Sequence, residues 1–458
     1  ASVFQQGERH PGIIDLKENL NRLGFGYISV TTLYGSYTEK KVKDFQEYYG
    51  LNVTGKVDTA TFNKIDQILD SPFQVGKRYE NTIDLKNKLN HIGFGNILVT
   101  DLYGDFTELK VREFQKYYGL IVNGIADDHT IEKLSSIANT PFQNGKRHSN
   151  TILLKENLNQ LGFGNITIST LYGNFTEEKV TEFQNYFGLI PNGIADDRTF
   201  KKIDELLSSP FQQGKRHKAT LQLKKNLNAI GYGGITLSDF YGSFTEQRVK
   251  EFQRDNRLPV SGIADEITRK EIEKRIVRIF LDPGHGDQDS GGQGYGLKEK
   301  NVVLDIALRT ANALTNNYFG VTVNLSRKTD EFIELLDRAR SANNWGADYF
   351  VSLHTNAYNG NTNGFETFIH DGSVSQETLK RQKDIHQYLI SKLGISDRGM
   401  KEADFNVLRN TNMPAILIEY MFIDDFVENA LLRDPHYRNW LGEITAEALA
   451  FSFNLKRR

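Results

Sequence analysis

The sequence predicts a multidomain protein in which four tandem all-α repeats, each of three helices, precede an α/β domain with a mainly parallel sheet covered by helices. Two observations predict this fold class. One sequence pattern recurs every 69 residues through the first part of the chain, and apolar runs then alternate with amphipathic stretches. We expect the repeats to span 1–70, 71–139, 140–208 and 209–277, and the α/β domain to span 278–458.

The repeats are marked by a six-residue pattern that begins with Phe-Gln. It reads FQQGER, FQVGKR, FQNGKR and FQQGKR, starting at Phe4, Phe73, Phe142 and Phe211. Because the step is constant and no spacer intervenes, we expect each copy to follow the last in a similar way, as in a semi-rigid array.

Within one repeat, the apolar spacing predicts three short helices. Leu16, Leu20 and Leu23 form one stripe at helical spacing. Thr38 is predicted to cap the second helix at its amino end, and Asp58 to begin the third. Such a unit is small, so stacking against its neighbours should add stability.

The segment YGSYTEKKVKDFQEYYGLNVTGKVDTATF resembles the three-helix peptidoglycan-binding module, and all four copies carry most of its pattern. The fourth copy departs from it at Asn256 and Arg257. The resemblance implies that the repeats bind the cell wall; the alternative is that they form a spacer. One aromatic position, six residues after the first phenylalanine of each repeat, is expected to be a packed or capping residue rather than a metal ligand: His10, Tyr79, His148 and His217.

From residue 278 the pattern predicts strands that alternate with helices, hence a largely parallel sheet. The predicted strands are Ile279–Leu281, Val321–Leu325, Tyr349–Leu353, Phe365–Ile369 and Ala415–Ile418. The predicted helices are Asn301–Leu314, Ile333–Asn344, Gln376–Leu393 and Trp440–Phe451.

Four residues with metal and acid–base chemistry fall near the carboxyl ends of these strands. His285, His354 and Glu419 each end or follow a strand, so they should share one edge of the sheet. Glu299 opens a helix after a glycine-rich loop that can fold over that edge. Two imidazoles and a carboxylate are the usual protein ligands of catalytic zinc, and a second carboxylate can take a proton from water.

The same domain resembles zinc-dependent N-acetylmuramoyl-L-alanine amidases of the amidase-3 type. The matching segments include FLDPGHG, GLKEKNVVLDIA, GADYFVSLHTNA, GFETF and FNVLRNTNMPAILIEYMFI. By position, the resemblance implies that His285, Glu299 and His354 bind Zn²⁺ and that Glu419 is the general base. It also implies that the substrate is peptidoglycan, cut between N-acetylmuramic acid and L-alanine.

Other residues in these segments carry weaker expectations. Asn356 and Arg409 lie in matching motifs and are candidates for substrate contact. Asp287 stands where the family usually has glycine, and Tyr420 follows the base where the family often has glycine. Lys300, next to Glu299, is expected to be solvated.

The segment QDSGG offers a competing chemistry, because it looks like the nucleophile segment of a chymotrypsin-like protease. Ser290 would then need a histidine and an aspartate upstream, in an all-β fold. Everything upstream is the helical repeat, so Ser290 is interpreted as part of the glycine loop.

Composition excludes several other classes of protein. The net charge is −2, which is not the basic excess of a nucleic-acid binder, and there is no apolar run of membrane-spanning length. The absence of cysteine excludes disulfides and thiolate metal sites. Since the chain starts at Ala1 rather than Met, we interpret it as a mature or trimmed product that has lost a secretion signal. With the two family resemblances, we expect a secreted bacterial protein that is monomeric and acts at the cell wall.

Together these features predict an autolysin-like cell-wall hydrolase that uses zinc-activated water and is held on the wall by its repeats. Two alternatives remain: a zinc peptidase that cuts within the stem peptide, and a wall-binding protein whose catalytic domain is silent.

Overall fold

A computed structural model of the chain describes residues 3–458, and its internal contacts divide the chain into two compact units, Ala1–Ser208 and Ser209–Arg458. The first unit holds three repeats, and the second holds the fourth repeat together with the α/β domain. Within the described residues, no helix has the length and apolar character needed to cross a membrane. The fold class predicted from the sequence is confirmed.

Each repeat consists of three α-helices, as predicted. They are α1 (Gly12–Arg22), α2 (Ser36–Tyr48), α3 (Thr59–Leu69), α4 (Thr82–His91), α5 (Asp105–Tyr117), α6 (Asp128–Ala138), α7 (Thr151–Gln160), α8 (Asn174–Tyr186), α9 (Asp197–Leu207), α10 (Thr220–Ala229), α11 (Ser243–Asp255) and α12 (Glu266–Glu273). Asp58 caps α3 by accepting a hydrogen bond from the Thr61 amide. The predicted cap at Thr38 is wrong: α2 begins at Ser36, because Gly35 is the last extended residue and its carbonyl accepts the first helical bond.

A buried glutamine ties the turn before the third helix to the second helix in every repeat. In the first repeat, the Gln46 side chain accepts from the amides of Thr54 and Gly55 and donates to the Lys56 carbonyl. The Tyr34 hydroxyl donates to the Gly55 carbonyl in the same turn. The expected packing of the aromatic side chain six residues after the first phenylalanine of each repeat is confirmed, since the two rings are in contact in all four repeats.

Within the first unit, neighbouring repeats are joined by contacts that recur with the repeat. The Tyr49 hydroxyl donates to Asp127, and 69 residues later Tyr118 donates to Asp196. Ile125 belongs to the apolar core of the first repeat, although it lies in the second. Ile194 is likewise part of the core of the second repeat. Because both joints use the same contacts, the three repeats follow one another by one constant step.

The α/β domain contains a six-stranded sheet. Its elements are β1 (Val277–Pro283), α13 (Glu299–Asn317), β4 (Val321–Leu325), α14 (Leu335–Trp345), β5 (Tyr349–Asn356), β6 (Phe365–His370), α15 (Gln376–Leu393), β7 (Asp397–Ala403), α16 (Asn406–Arg409), β8 (Ala415–Phe422), α17 (Phe426–Arg433) and α18 (Pro435–Phe453), with a short hairpin of β2 (Gln293–Gly294) and β3 (Leu297–Lys298). The strand order in the sheet is β4-β1-β5-β8-β6-β7. Strands β4, β1, β5 and β8 are parallel, and β6 pairs antiparallel to β8.

Alternate residues of the strands feed two apolar layers. Leu281 and Val351 belong to the core that also takes in residues of α13, α15 and α18, whereas Phe280 and Phe350 belong to the core shared with α14 and α16. The sheet is therefore covered on both faces. Polar groups can gather only at the edges where the strands end.

The fourth repeat packs directly on the α/β domain. The Gly320 amide donates to the Ala229 carbonyl (2.7 Å), and Arg458 donates to the Asn228 carbonyl (3.3 Å). The ring of Phe319 lies beside Gly231. The carboxyl-terminal unit therefore begins at the fourth repeat rather than at β1.

Candidate active site

The carboxyl edge of the parallel strands brings the four predicted residues together. His285 follows β1, His354 lies near the end of β5, and Glu419 lies in β8 directly opposite His354 in the pairing of these strands. Glu299 is the first residue of α13, whose amino end reaches the same edge. Three of the four, the two histidines and Glu299, form a group whose ligand atoms lie within 4.8 Å of one another and could hold a metal ion.

The Glu299 carboxylate is the centre of this group. Its Oε1 lies 3.1 Å from His285 Nε2 and 3.1 Å from His354 Nδ1. Backbone amides hold the carboxylate in place, with Thr355 N donating to Oε1 and Gly292 N to Oε2. Although burial opposes its ionisation, the bonds to both histidines keep the pKa of Glu299 well below its ordinary value.

The other nitrogen of each imidazole already has a partner. His285 Nδ1 lies 2.8 Å from Asp289 Oδ2. His354 Nε2 lies 3.0 Å from the Ser352 hydroxyl, which donates to the buried Asp282. When both imidazoles are neutral, as metal binding requires, these partners accept the remaining N–H and each ring turns a lone pair toward Glu299. Three acceptors that face one another need a cation between them, and two imidazoles with a carboxylate match the donor set of zinc.

Two buried arginines hold the loop that carries His285. Arg338 donates to Asp282, to the Pro283 carbonyl and to the His285 carbonyl. Arg327 donates to the carbonyls of Pro283 and Gly284. These bonds keep His285 in the left-handed region at φ 64°, an uncommon conformation for a residue with a side chain.

Glycine is required at position 284 by the neighbouring ring. A Cβ at Gly284 would lie 2.2 Å from Cε1 of His354, and no side chain can be accommodated at that distance. Asp287, which departs from the family pattern, also lies in the left-handed region at φ 47°. Aspartate tolerates that conformation better than most residues, so the substitution is compatible with the loop.

Glu419 lies beside the group without belonging to it. The side chain is partly buried, and its Oε2 has no hydrogen-bond partner among the described residues. Burial raises its pKa well above the ordinary value, and the negative charges of Glu299 and Glu366 raise it further. A carboxylate of this kind accepts protons more strongly than a solvated glutamate does.

A second polar cluster lies next to Glu419, around Glu366 on the neighbouring strand β6. Glu366 pairs with Glu419 across β6 and β8, so both side chains point to the same face. Its carboxylate accepts from Asn356 (2.9 Å), from Arg398 Nε (3.1 Å) and from Lys401. Asn356, predicted as a substrate contact, therefore lies at the candidate site.

Other predicted residues lie elsewhere. Arg409 pairs with Asp404 near the amino end of β8, at the edge of the sheet opposite Glu299, and its contact with substrate stays a prediction. Lys300 is buried rather than solvated, and it donates to the Asp287 carbonyl and to Asp330. The Ser290 hydroxyl donates to the Gly291 carbonyl, which fits its interpretation as part of the loop.

A second group with metal-ligand chemistry lies at that opposite edge. His370 ends β6 and lies near Asp371 and Asp404. Both acids are exposed, and Asp404 is already paired with Arg409. This group is therefore a weaker candidate than the one around Glu299.

Sequence reasoning missed the residues that orient the histidines: Asp282, Asp289, Arg327, Arg338 and Ser352. Asp282 and Asp289 had a local signal, because they lie three residues before and four residues after His285. The others come from distant strands and helices, and only the folded sheet brings them to the loop.

Comparison with known proteins finds two families in the chain. Residues 279–450 match the family model of N-acetylmuramoyl-L-alanine amidase, and 9–65, 78–134, 147–203 and 216–272 match that of a peptidoglycan binding domain. The chain is 43% identical over 182 residues to the sporulation-specific N-acetylmuramoyl-L-alanine amidase of Bacillus subtilis, covering 40% of this chain and 70% of that protein. It is 47% identical over 184 residues to the endolysin of Bacillus phage SPP1, covering 39% and 67%.

Among solved structures, the N-acetylmuramoyl-L-alanine amidase from Clostridium difficile 630 is 35% identical, with a TM-score of 0.38, and the match covers 39% of this chain and 98% of that one. The extent and identity of the sequence matches define a cell-wall amide hydrolase that carries peptidoglycan-binding repeats. The chain belongs to the N-acetylmuramoyl-L-alanine amidase family.

Proposed function

We propose that the protein hydrolyses the amide between N-acetylmuramic acid and L-alanine in peptidoglycan, outside the cell membrane, with Zn²⁺ held by His285, Glu299 and His354. The observation that carries the metal assignment is the set of three acceptors facing one another, each fixed by a partner on its other side. When bound, zinc supplies a Lewis acid that polarises the scissile carbonyl and makes a water molecule more acidic.

Glu419 is the proposed proton carrier. Its Oε2, which has no hydrogen-bond partner in the described part of the chain, accepts a proton from the attacking water while the water oxygen bonds to the carbonyl carbon. The same carboxyl then delivers that proton to the alanine nitrogen as the carbon–nitrogen bond breaks. The raised pKa supports both halves of this exchange, because the group binds a proton more readily than a solvated glutamate.

The repeats would keep the enzyme on its insoluble substrate. Several weak wall contacts on one chain raise the effective concentration of the catalytic domain at the polymer. This is the role that the match to peptidoglycan binding domains supports.

The metal assignment can be tested by metal content. His354→Ala should bind less than about a tenth as much zinc as the wild type, because it removes one of three ligands. His436→Ala is the matched control, since His436 is exposed on α18. Equal zinc content in His354→Ala and the wild type, measured by elemental analysis after dialysis, would remove His354 from the ligand set.

A further inference from the structure

One exposed position on the second helix of every repeat is aromatic. The rings are 41% to 49% exposed and belong to Tyr37, Phe106, Phe175 and Phe244. The exposed position three residues further on varies freely and holds Lys40, Leu109, Glu178 and Gln247. Since the fold tolerates any of these side chains on that helix surface, a large exposed ring kept in all four copies indicates a role in contact with a partner.

A cation and an acid accompany each ring at fixed spacing. In the first repeat, Lys41 Nζ lies 5.4 Å from the Tyr37 ring centre and pairs with Asp44 at 3.2 Å. Positions i, i+4 and i+7 share one face of a helix, so the three side chains form one surface. We call these sets the aromatic triads: Tyr37–Lys41–Asp44, Phe106–Lys110–Glu113, Phe175–Lys179–Glu182 and Phe244–Arg248–Glu251.

A glycine lets the first triad lie close to the preceding turn. A Cβ at Gly26 would lie 2.9 Å from the Tyr37 hydroxyl and 3.0 Å from Lys41 Cε. Gly95 and Gly164 have the same relation to Lys110 and Lys179. The ring and the cation are thus held in place before any partner arrives, which lowers the entropic cost of binding.

The charges of a triad limit the chemistry of its partner. Each triad has one cation and one acid in contact, so its net charge is zero. A polyanion would be repelled by the acid and would find the cation already paired. A neutral sugar suits the surface better, because the C–H face of a pyranose packs on an aromatic ring while its hydroxyl and amide groups bond to both ions.

We propose that the aromatic triads bind the glycan strand of peptidoglycan, one triad per repeat, by stacking an amino-sugar ring on the exposed aromatic side chain. This inference rests on the proposed wall-anchoring function of the repeats. Because the first three repeats follow one another by one constant step, their triads recur at a regular spacing. A polymer of repeating disaccharides likewise presents its sugar rings at a regular spacing. Several weak contacts then add up by avidity.

The test uses the full-length chain, with a chelator present to prevent cleavage, and measures pelleting with purified peptidoglycan free of anionic wall polymers. The variant Y37S/F106S/F175S/F244S should bind at least about tenfold more weakly, because every stacking contact is lost. The matched control K40S/L109S/E178S/Q247S changes the neighbouring exposed position and should bind as the wild type does. The variant Y37W/F106W/F175W/F244W keeps the rings and should retain binding, which separates loss of stacking from loss of folding.

Two further measurements identify the ligand. Glycan strands freed of stem peptides should compete with the wall for the wild-type chain, and raising the salt from about 50 mM to about 500 mM should change binding less than threefold. Unchanged binding of the serine variant, competition by stem peptides alone, or a steep salt dependence would each overturn the triad proposal. A wild-type chain that does not pellet with the wall would contradict the anchoring function itself.

Discussion

At the scale of single residues, the two carboxylates of the site differ in their hydrogen bonds. Each oxygen of Glu299 accepts from a backbone amide, whereas Glu419 has a buried oxygen with no hydrogen-bond partner among residues 3–458. This difference separates the two carboxylates that the sequence alone presents as similar. We therefore assign metal binding to the first and proton transfer to the second.

Glu419→Gln should lower the rate of peptidoglycan cleavage by about 10³-fold, because it removes a proton acceptor and keeps the shape of the side chain. Zinc content should be unchanged, since Glu419 lies outside the group around Glu299. Release of free alanine amino groups measures the rate, and Glu402→Gln on the exposed side of β7 is the control. Cleavage at the wild-type rate would exclude Glu419 as the base.

Glu366 gives a prediction of pH dependence. Although burial opposes it, bonds from Lys401, Asn356 and Arg398 lower the pKa of Glu366. A lowered pKa means that its stabilising effect is present above the unfolded value of about 4.3 and is lost as the pH falls through the folded value. Glu366→Gln should lower the free energy of unfolding by about 1 kcal/mol at neutral pH, since both cations are about a third exposed.

The comparison that checks this is the thermal midpoint of wild type and variant at pH 7 and at pH 3.5. The difference should be a few degrees at pH 7 and should shrink at the lower pH. A difference of the same size at both pH values would mean that the Glu366 charge is not what stabilises the cluster.

At the scale of elements, the common edge of the sheet could be predicted, because parallel strands end on the same side and each candidate follows an apolar run. The helix starts were less predictable. Asp58 has a local signal and caps as expected, whereas Thr38 has the same kind of signal and lies buried in the first turn. Tertiary packing, which a local pattern does not encode, decides between them.

The orientation of the histidines could not be predicted, because it depends on bonds between distant elements. Ser352 on β5 and Asp282 on β1 meet only when the strands pair, and Arg338 reaches them from α14. Arg409, a candidate for substrate contact, lies at the other edge of the sheet. Its place was available from the sequence, because Arg409 precedes the predicted strand Ala415–Ile418 and so lies toward the amino end of that strand.

Ser352→Ala should weaken zinc binding by about 10- to 100-fold, because His354 loses the acceptor that fixes its tautomer. Ser326→Ala is the matched control: it also removes a hydroxyl bonded to Asp282 but does not touch His354. Each variant should lose only about 1 kcal/mol of stability. Competition with a chelator measures the affinity. Equal zinc affinity in the two variants would rule out that Ser352 fixes the tautomer of His354.

At the scale of the whole molecule, the fourth repeat belongs structurally with the α/β domain. A chain of residues 209–458 should therefore keep the thermal stability of the catalytic unit. A chain of 278–458 exposes Phe319 and removes the Asn228 carbonyl to which Arg458 donates. Its melting temperature should therefore be several degrees lower, although it should still cleave peptidoglycan. Both should bind walls less well than the full chain, and equal melting temperatures of the two pieces would contradict the packing role of the fourth repeat.

The most direct test of the proposed zinc-dependent amidase activity is the identity of the bond that is cut. Purified peptidoglycan is digested with the full chain, with and without a chelator, and new amino termini and reducing sugar ends are determined. A zinc-dependent amidase should produce new N-terminal alanine without new reducing ends. The chelator should abolish this release, and zinc should restore it. New termini deeper in the stem peptide, or new reducing ends, would contradict that activity.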